Sequence, residues 1–242
     1  KILEESAFSI KSKDNVISYL EFHQKVPFLL NIEVDYEDNE LVLEFTGKVL
    51  GSDYPKLISI ETIKQCFINI NNMGICLLDI DAIMDDASVV KCDITQDVCC
   101  DDVPALTKYI ASNIINYREY IARTLRNSNF VVEKNVTTRG YKKRLTIYNK
   151  QKEMNKRENS RYMTEYNIPP NTFENICRFE LNLNSTAQIK KSLGISDTCL
   201  QSVLTATNNP IRDFLDDVVA DSNYTIPLTD KQSYFTALVL RD

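Results

Sequence analysis

Hydrophobic and polar residues alternate in several short stretches of the chain, and this period of two predicts β-strands. An acidic turn at residues 36–39 separates the first two stretches, as expected for a hairpin. The predicted strands cover residues 28–35, 40–46, 89–97, 130–133, 143–148 and 178–184.

Apolar residues recur every three or four positions in the segments between these strands, which predicts helices. The longest apolar stripe runs from Leu106 to Ile121, and Asn209-Pro210 interrupts the last helical region. The predicted helices cover residues 60–71, 104–127, 151–162, 185–193, 197–206 and 211–220.

The order of these elements predicts an α+β fold, with an antiparallel or mixed central sheet and helices on one face. Strands and helices do not alternate regularly, and a glycine-rich phosphate loop is absent, which argues against a doubly wound parallel sheet. We predict an α+β domain over residues 1–184 and a small helical C-terminal extension, residues 185–242, packed on it.

Three predicted strands each carry one apolar and one polar face, because successive side chains of a strand point to opposite sides. The polar faces hold Lys91, Asp93, Thr95 and Asp97; Arg144, Thr146, Tyr148 and Lys150; and Arg178, Glu180, Asn182 and Asn184. One interpretation is the wet side of an amphipathic sheet, with cross-strand ion pairs such as Arg178 with Asp93. The other is a site in which carboxylates bind a hard divalent cation, cations bind phosphate, and a tyrosine is the nucleophile.

Charge is distributed very unevenly along the chain. The net charge is −6, yet residues 134–161 contain ten basic and two acidic residues, so this segment carries +8 and the remainder −14. The basic segment is either a solvated loop or a surface that follows a nucleic-acid backbone.

Histidine and cysteine usage excludes several kinds of chemistry. The single histidine, His23, lies among apolar residues, so mechanisms that need two histidines are excluded and a packed or surface histidine is expected. The seven cysteines contain no Cys-x-x-Cys pair, which argues against a zinc knuckle and for small buried side chains in a reducing compartment. No apolar run approaches the ~20 residues of a membrane span, and no signal peptide is evident, so no membrane association is expected.

The order of four motifs over residues 85–210 resembles a known family. DITQD, TIYNKQKEM, CRFELNL and QIKKSLGI resemble the rolling-circle replication initiators of bacterial plasmids and filamentous phages, including gene II/X-type proteins and the replication initiation factor group. Some conjugative relaxases belong to the same broad set. The resemblance implies an enzyme of the bacterial cytoplasm that nicks and rejoins single-stranded or hairpin origin DNA through a 5′-phosphotyrosine, with Mg²⁺ or Mn²⁺ as cofactor. A host helicase is a further candidate partner, and 242 residues leave no room for a helicase domain.

The resemblance also implies roles for individual residues. Tyr148 is the first candidate for the nucleophile, with Tyr141, Tyr162 and Tyr166 as alternatives. The implied metal ligands are Asp93 and Glu180, with Asp97 and Glu153 as weaker candidates. The implied DNA contacts are Lys142, Lys143, Arg144, Lys150 and Arg178.

This chain departs from many members of the family because it lacks their His-hydrophobe-His strand. Either carboxylates hold the metal, or the protein is a non-catalytic DNA-binding module or regulator of the same fold. Residues 185–206, with Gly194 between two predicted helices, have a weak helix-turn-helix pattern that suits the second reading. A protein interaction domain with a wet sheet is a third reading.

Overall fold

A computed structural model describes residues 1–13, 16–22, 30–115, 119–125, 129–138 and 142–219. The described chain has an α+β fold with two antiparallel sheets. It divides into two compact units: Lys1–Ala87 with Arg161–Ile168, and Ser88–Ser160 with the described chain from Pro169 onward. His23 and Tyr141 lie outside the described residues.

The first unit contains a four-stranded sheet in the order β1-β2-β3-β4. Phe67 of the first helix lies edge-to-face against Phe45 of the last strand, with ring centroids 6.0 Å apart. The strands of this unit are Phe8–Lys13 (β1), Val16–Phe22 (β2), Leu30–Asp35 (β3) and Glu40–Phe45 (β4). They are followed by a 3₁₀ segment, Gly47–Lys56, and by the helices Ile63–Asn72 (α1) and Ile80–Asp86 (α2). β1 and β2 were not predicted, whereas β3, β4 and α1 confirm the predictions for their segments.

The second unit contains a five-stranded antiparallel sheet in the order β5-β9-β8-β7-β6. Its strands are Cys92–Cys99 (β5), Tyr120–Thr124 (β6), Phe130–Lys134 (β7), Arg144–Asn149 (β8) and Ile176–Leu183 (β9). The helices in this part of the chain are Val103–Ser112 (α3), Lys150–Met154 (α4), Arg157–Glu165 (α5), Thr186–Leu193 (α6), Leu200–Leu204 (α7) and Pro210–Val218 (α8). The second half of α5 belongs to the first unit.

The core of the second unit lies on one side of the five-stranded sheet. Phe179, Leu181 and Leu145 are buried there by apolar side chains of α3, α6 and α8. The helices α3, α6 and α8 therefore pack on this apolar face of the sheet. The opposite face of the sheet carries the polar side chains of β5, β8 and β9.

The strand register brings the three predicted polar faces together. Asp93, Thr95 and Asp97 of β5 lie opposite Asn182, Glu180 and Arg178 of β9. These same three β9 residues lie opposite Arg144, Thr146 and Tyr148 of β8. Because side chains alternate along each strand, all nine share one face of the sheet.

The predicted helix over residues 104–127 is wrong in its second half. α3 ends at Ser112, where the backbone N–H of Asn113 bonds to the carbonyl of Ile110, and the chain forms β6 at Tyr120–Thr124. Pairing with β7 places Tyr120 and Ala122 against the core, so Ile121 points to the other face. The apolar residues that predict one long helix therefore belong to a helix and to an edge strand. Pairing with a neighbouring strand outweighs the local periodicity of the sequence.

Other boundaries also differ from the predictions. The predicted helix over residues 151–162 is two shorter helices, α4 and α5, with Asn155 and Lys156 between them. The observed division of the chain falls at Ala87/Ser88 rather than between residues 184 and 185, and α6, α7 and α8 belong to the second unit. Among the described residues, no helix is both long and apolar enough to span a bilayer.

Candidate functional site

A cleft of about 300 Å³ lies on the polar face of the five-stranded sheet. Its walls combine cations, carboxylates and amides, a mixture that suits a charged and hydrogen-bonding ligand better than an apolar one. The lining residues are Lys91, Asp93, Lys142, Arg144, Thr146, Glu180, Asn182 and Asn184. All except Lys142 were assigned to the three polar faces from the sequence.

Tyr148 lies next to this cleft, at the end of β8. Its hydroxyl donates a hydrogen bond of 2.6 Å to Glu180 Oε1, and the residue is only 7% exposed. Burial raises the pKa of Glu180, and this effect outweighs the hydrogen bond from Tyr148 and the charge of Arg178, which lower it. A phenol that donates to a partly desolvated carboxylate is the arrangement of a nucleophile with an adjacent base.

Lys150 follows Tyr148 by two residues and begins α4. The side chain of Asn149 accepts a hydrogen bond from the N–H of Lys152, which caps the helix and places Lys150 in its first turn. Lys150 is 3% exposed, and its Nζ lies 5.6 Å from the Tyr148 ring centroid and 5.7 Å from that of Phe173.

This environment changes the protonation of Lys150. Burial, together with the charge of Arg178, lowers its pKa to about 7, although Glu180 and Asp97 act to raise it. With this pKa, Lys150 is partly deprotonated near neutral pH, whereas an exposed lysine remains protonated.

Arg178 and Asp97 form a bidentate ion pair beside the tyrosine. Arg178 Nε donates to Asp97 Oδ1 and Nη2 to Oδ2, both at 2.6 Å, and the arginine is almost completely buried. Both carboxylate oxygens of Asp97 are thus occupied by a guanidinium. The predicted pairing of Arg178 with Asp93 is wrong, because Asp93 lies opposite Asn182 and accepts its hydrogen bond at 2.5 Å.

The predicted metal ligands differ in their surroundings. Asp93 and Glu180 both line the cleft, with amide and hydroxyl oxygens beside them, which suits Mg²⁺ in donor chemistry because that ion needs few protein ligands. Asp97 does not fit a metal here because Arg178 holds it. The described residues contain no group of three or more histidine, cysteine, aspartate or glutamate side chains placed to hold a metal ion.

Glu133 of β7 was not predicted as a site residue. It is 4% exposed and accepts charged hydrogen bonds from Arg123 Nη2 at 2.6 Å and Arg144 Nε at 2.9 Å, while Lys142 Nζ lies 3.2 Å away. Burial acts to raise its pKa, but the bonds from Arg144 and Lys142 hold it below the ordinary value. The sequence signal for Glu133 is a single acid at the end of an apolar strand.

The other candidate tyrosines of the described chain are packing residues of the first unit. Tyr162 Oη donates to the carbonyls of Lys48 at 2.8 Å and Gly51 at 3.0 Å, and burial raises its pKa. Tyr166 packs on the Tyr162 ring, with centroids 4.8 Å apart, and burial raises its pKa also. Neither phenol has a neighbouring base of the kind that Tyr148 has in Glu180.

The described basic residues of segment 134–161 have different surroundings. Lys142 and Arg144 reach Glu133, Lys150 is buried, and Arg161 belongs to the first unit. Lys143 is half-buried, and its pKa is lowered by burial and by Lys191 of α6, so it lies toward the helices rather than the cleft. Glu153 of α4 pairs with Lys156, which lies between α4 and α5.

The remaining cysteine and helix predictions have mixed outcomes. Four of the seven cysteines are buried, Cys99 is exposed, and none is in a disulfide. Gly194 ends α6 in the left-handed conformation, as expected for a turn between two helices. However, α7 has only five residues, which is short for a helix that reads a DNA groove.

No family model, curated protein or solved structure matched this chain. The function therefore has to be argued from the residues of the cleft and their geometry.

Proposed function

We propose that the protein nicks and rejoins single-stranded DNA through a covalent bond to Tyr148, as a replication initiator of the rolling-circle type or a relaxase does. The observation that carries this proposal is the 2.6 Å hydrogen bond from Tyr148 to Glu180 at the edge of a cleft lined by cations, carboxylates and amides. The resemblance of the TIYNKQKEM and CRFELNL motifs to replication initiators supports the same assignment.

The proposed reaction is a transesterification at phosphorus. Tyr148 Oη forms a bond to the phosphorus atom while its proton passes to Glu180, and the bond from phosphorus to the 3′ oxygen breaks. Lys150, with a pKa of about 7, is the group that we assign to protonate the departing 3′ oxygen. The products are a 5′-phosphotyrosine and a free 3′-OH, and rejoining is the reverse reaction.

A divalent cation fits this proposal through the oxygens of Asp93 and Glu180. When bound, Mg²⁺ or Mn²⁺ would polarise the phosphate and neutralise developing charge. Asp97 is assigned a different role: it accepts two hydrogen bonds from Arg178 and so fixes the side chain of the β9 residue that pairs with Tyr148.

The test is the formation of a covalent adduct. A pool of random-sequence single-stranded DNA, labelled at the 3′ end, is incubated with the protein and Mn²⁺ or Mg²⁺ and separated on a denaturing gel. The label must be at the 3′ end because a 5′-phosphotyrosine retains that part of the strand. We expect a labelled protein band that disappears in Tyr148→Phe and persists in Tyr36→Phe, an exposed tyrosine of the other unit. An adduct formed by Tyr148→Phe would exclude Tyr148 as the nucleophile.

The burial of Tyr148 favours a second candidate function, a DNA-binding module without nuclease activity. The residue is only 7% exposed and its hydroxyl is already bonded to Glu180, so little of the phenol is open to a phosphate. Binding of the DNA pool with no adduct under either metal would support this alternative.

A further inference from the structure

Four charged side chains from three separate segments meet on the polar face of the five-stranded sheet. Glu133 of β7 is the common partner of Arg123 from β6, Arg144 from β8 and Lys142, which precedes β8. We call these four residues the Glu133 cluster. Lys142 and Arg144 also line the cleft, so the cluster and the cleft are continuous.

The Glu133 cluster presents positive charge to solvent. The carboxylate is almost completely buried, whereas the side chains of Arg123, Lys142 and Arg144 are 51%, 30% and 43% exposed. One carboxylate balances only one of the three cations. Each arginine has five N–H donors in a planar fork, and such forks match the geometry of phosphate oxygens.

An ion pair that only stabilises the fold needs one cation for the Glu133 carboxylate, not three. Three like charges gathered on one carboxylate repel each other, and ion pairs whose cations are this exposed contribute little to stability. When an anion of several charges binds at this surface, its attraction to the three cations offsets their mutual repulsion.

Apolar surface lies beside the cluster. Ile121 is the residue of β6 directly opposite Glu133, and it is 40% exposed on the same face. Leu125, four residues further along the chain, is 38% exposed. A ligand that alternates charged groups with flat apolar ones would meet matching partners here, and single-stranded DNA is such a ligand.

We propose that Arg123, Lys142 and Arg144, positioned by Glu133, bind consecutive phosphates of single-stranded DNA and lead the strand into the cleft. This inference rests on the proposed function only in taking DNA as the ligand, because it requires no cleavage.

Fluorescence anisotropy with a labelled oligothymidylate of 20 nucleotides, in EDTA and over a series of NaCl concentrations, tests the phosphate binding without cleavage. We expect the triple variant Arg123→Gln/Lys142→Gln/Arg144→Gln to bind the oligonucleotide more weakly. The negative slope of log K against log[salt] should become shallower by about 2, which is ~0.7 for each phosphate that the variant no longer neutralises. The matched control is Lys108→Gln/Lys190→Gln/Arg212→Gln, which removes the same charge from the helices α3, α6 and α8. Equal affinity and slope in the two triple variants would overturn the proposal.

Glu133→Gln tests whether the carboxylate positions the cations. The variant loses one negative charge, so stronger attraction of the DNA by the three cations predicts tighter binding. If Glu133 instead holds the cations in place, its loss predicts weaker binding and a shallower dependence of affinity on salt. We expect the second result in variant protein shown by circular dichroism to be folded. Tighter binding would overturn the role of Glu133. If this variant does not fold, the triple variants, whose substituted side chains are partly exposed, remain the test.

The ligand and the proposed nicking activity are tested separately. Tighter binding of the wild type to oligouridylate than to oligothymidylate would overturn DNA as the ligand. Weakened binding of the first triple variant, in a protein that forms no adduct, would support this inference and contradict the nicking reaction alone. An adduct together with equal binding of the two triple variants would contradict this inference alone.

Discussion

Tyr148 bonds to Glu180 although the residue directly opposite it on β9 is Arg178. The hydrogen bond therefore runs diagonally between neighbouring strands, and Arg178 turns instead to Asp97 on the other side of β9. These two contacts order the polar side chains into a hydroxyl–carboxylate pair and a guanidinium–carboxylate pair that lie side by side.

Removal of the hydroxyl group of Tyr148 should destabilise the fold independently of any reaction. We expect Tyr148→Phe to lower the free energy of unfolding by about 1–3 kcal/mol, because Glu180 loses a charge-assisted hydrogen bond while it remains largely buried. Urea unfolding monitored by circular dichroism measures the change. The exposed Tyr36→Phe is the control and should change stability by less than about 0.5 kcal/mol. Equal stability of Tyr148→Phe and wild type would show that the hydrogen bond makes no net contribution.

The stability contributed by Lys150 should depend on pH. In the unfolded chain this lysine keeps its proton up to about pH 10.5, whereas in the folded protein its pKa is about 7. Between these values the unfolded state binds more protons, so stability rises with pH and falls as the pH is lowered toward 7.

Comparison with Lys150→Met isolates this effect. The free energy of unfolding of the wild type minus that of the variant should increase by about 1 kcal/mol per pH unit from pH 7 to 9. Urea unfolding at several pH values gives this difference. A difference that does not change with pH would mean that Lys150 keeps an ordinary pKa in the folded protein.

Replacement of Arg178 by lysine should destabilise the fold, because lysine keeps the positive charge but cannot form the two parallel hydrogen bonds to Asp97. We expect Arg178→Lys to lower the free energy of unfolding by about 3 kcal/mol, because the replacement is buried at this position and cannot donate to both oxygens of the half-buried Asp97. Thermal and urea unfolding measure the loss. Arg212→Lys is the control, since its pair with Asp216 is longer, at 3.9 Å, and both side chains are more than a third exposed. Similar losses in the two variants would contradict the special role of bidentate geometry.

Gly194 and Gly74 allow backbone strain to be separated from a steric clash. Both have positive φ, 67° and 72°, but a Cβ at Gly194 would lie 2.5 Å from Asn208 Nδ2, whereas one at Gly74 would meet no heavy atom of the described residues within 4 Å. We expect Gly74→Ala to cost about 1 kcal/mol through φ alone and Gly194→Ala to cost more. Thermal unfolding of the two variants measures the difference. Equal losses would mean that Asn208 moves aside without cost.

The polar face of the second sheet could be predicted from the sequence because strand alternation is a local property. Asp93, Thr146 and Glu180 each belong to the polar face of a strand whose alternate residues form an apolar face. The fold confirms that these faces adjoin, through the register of β5, β9 and β8. That register depends on long-range pairing, which is why the partner of Arg178 was assigned to Asp93 rather than Asp97.

The Glu133 cluster could not be predicted because its members are far apart in sequence and their strands were only partly recognised. Arg123 was placed in a helix, where it would have had no reason to approach Glu133. Formation of β6 brings it there through the pairing of Ile121 with Glu133 and Arg123 with Val131. Several of the apolar residues that predict the helix do contact the core, but Tyr120 and Ala122 reach it from an edge strand rather than from a helix.

The path of the chain between the two units has a consequence for how the protein is made. The first unit is built from residues 1–87 and, after a long interval, residues 161–168. Tyr162 bonds to the Lys48 carbonyl across 114 positions and lies edge-to-face on Tyr54. A ribosome releases the four strands of the first sheet long before it releases this tyrosine. The first sheet is therefore synthesised early and completed late, so a nascent chain that stops before residue 161 leaves the carbonyls of Lys48 and Gly51 without the phenol that bonds to them.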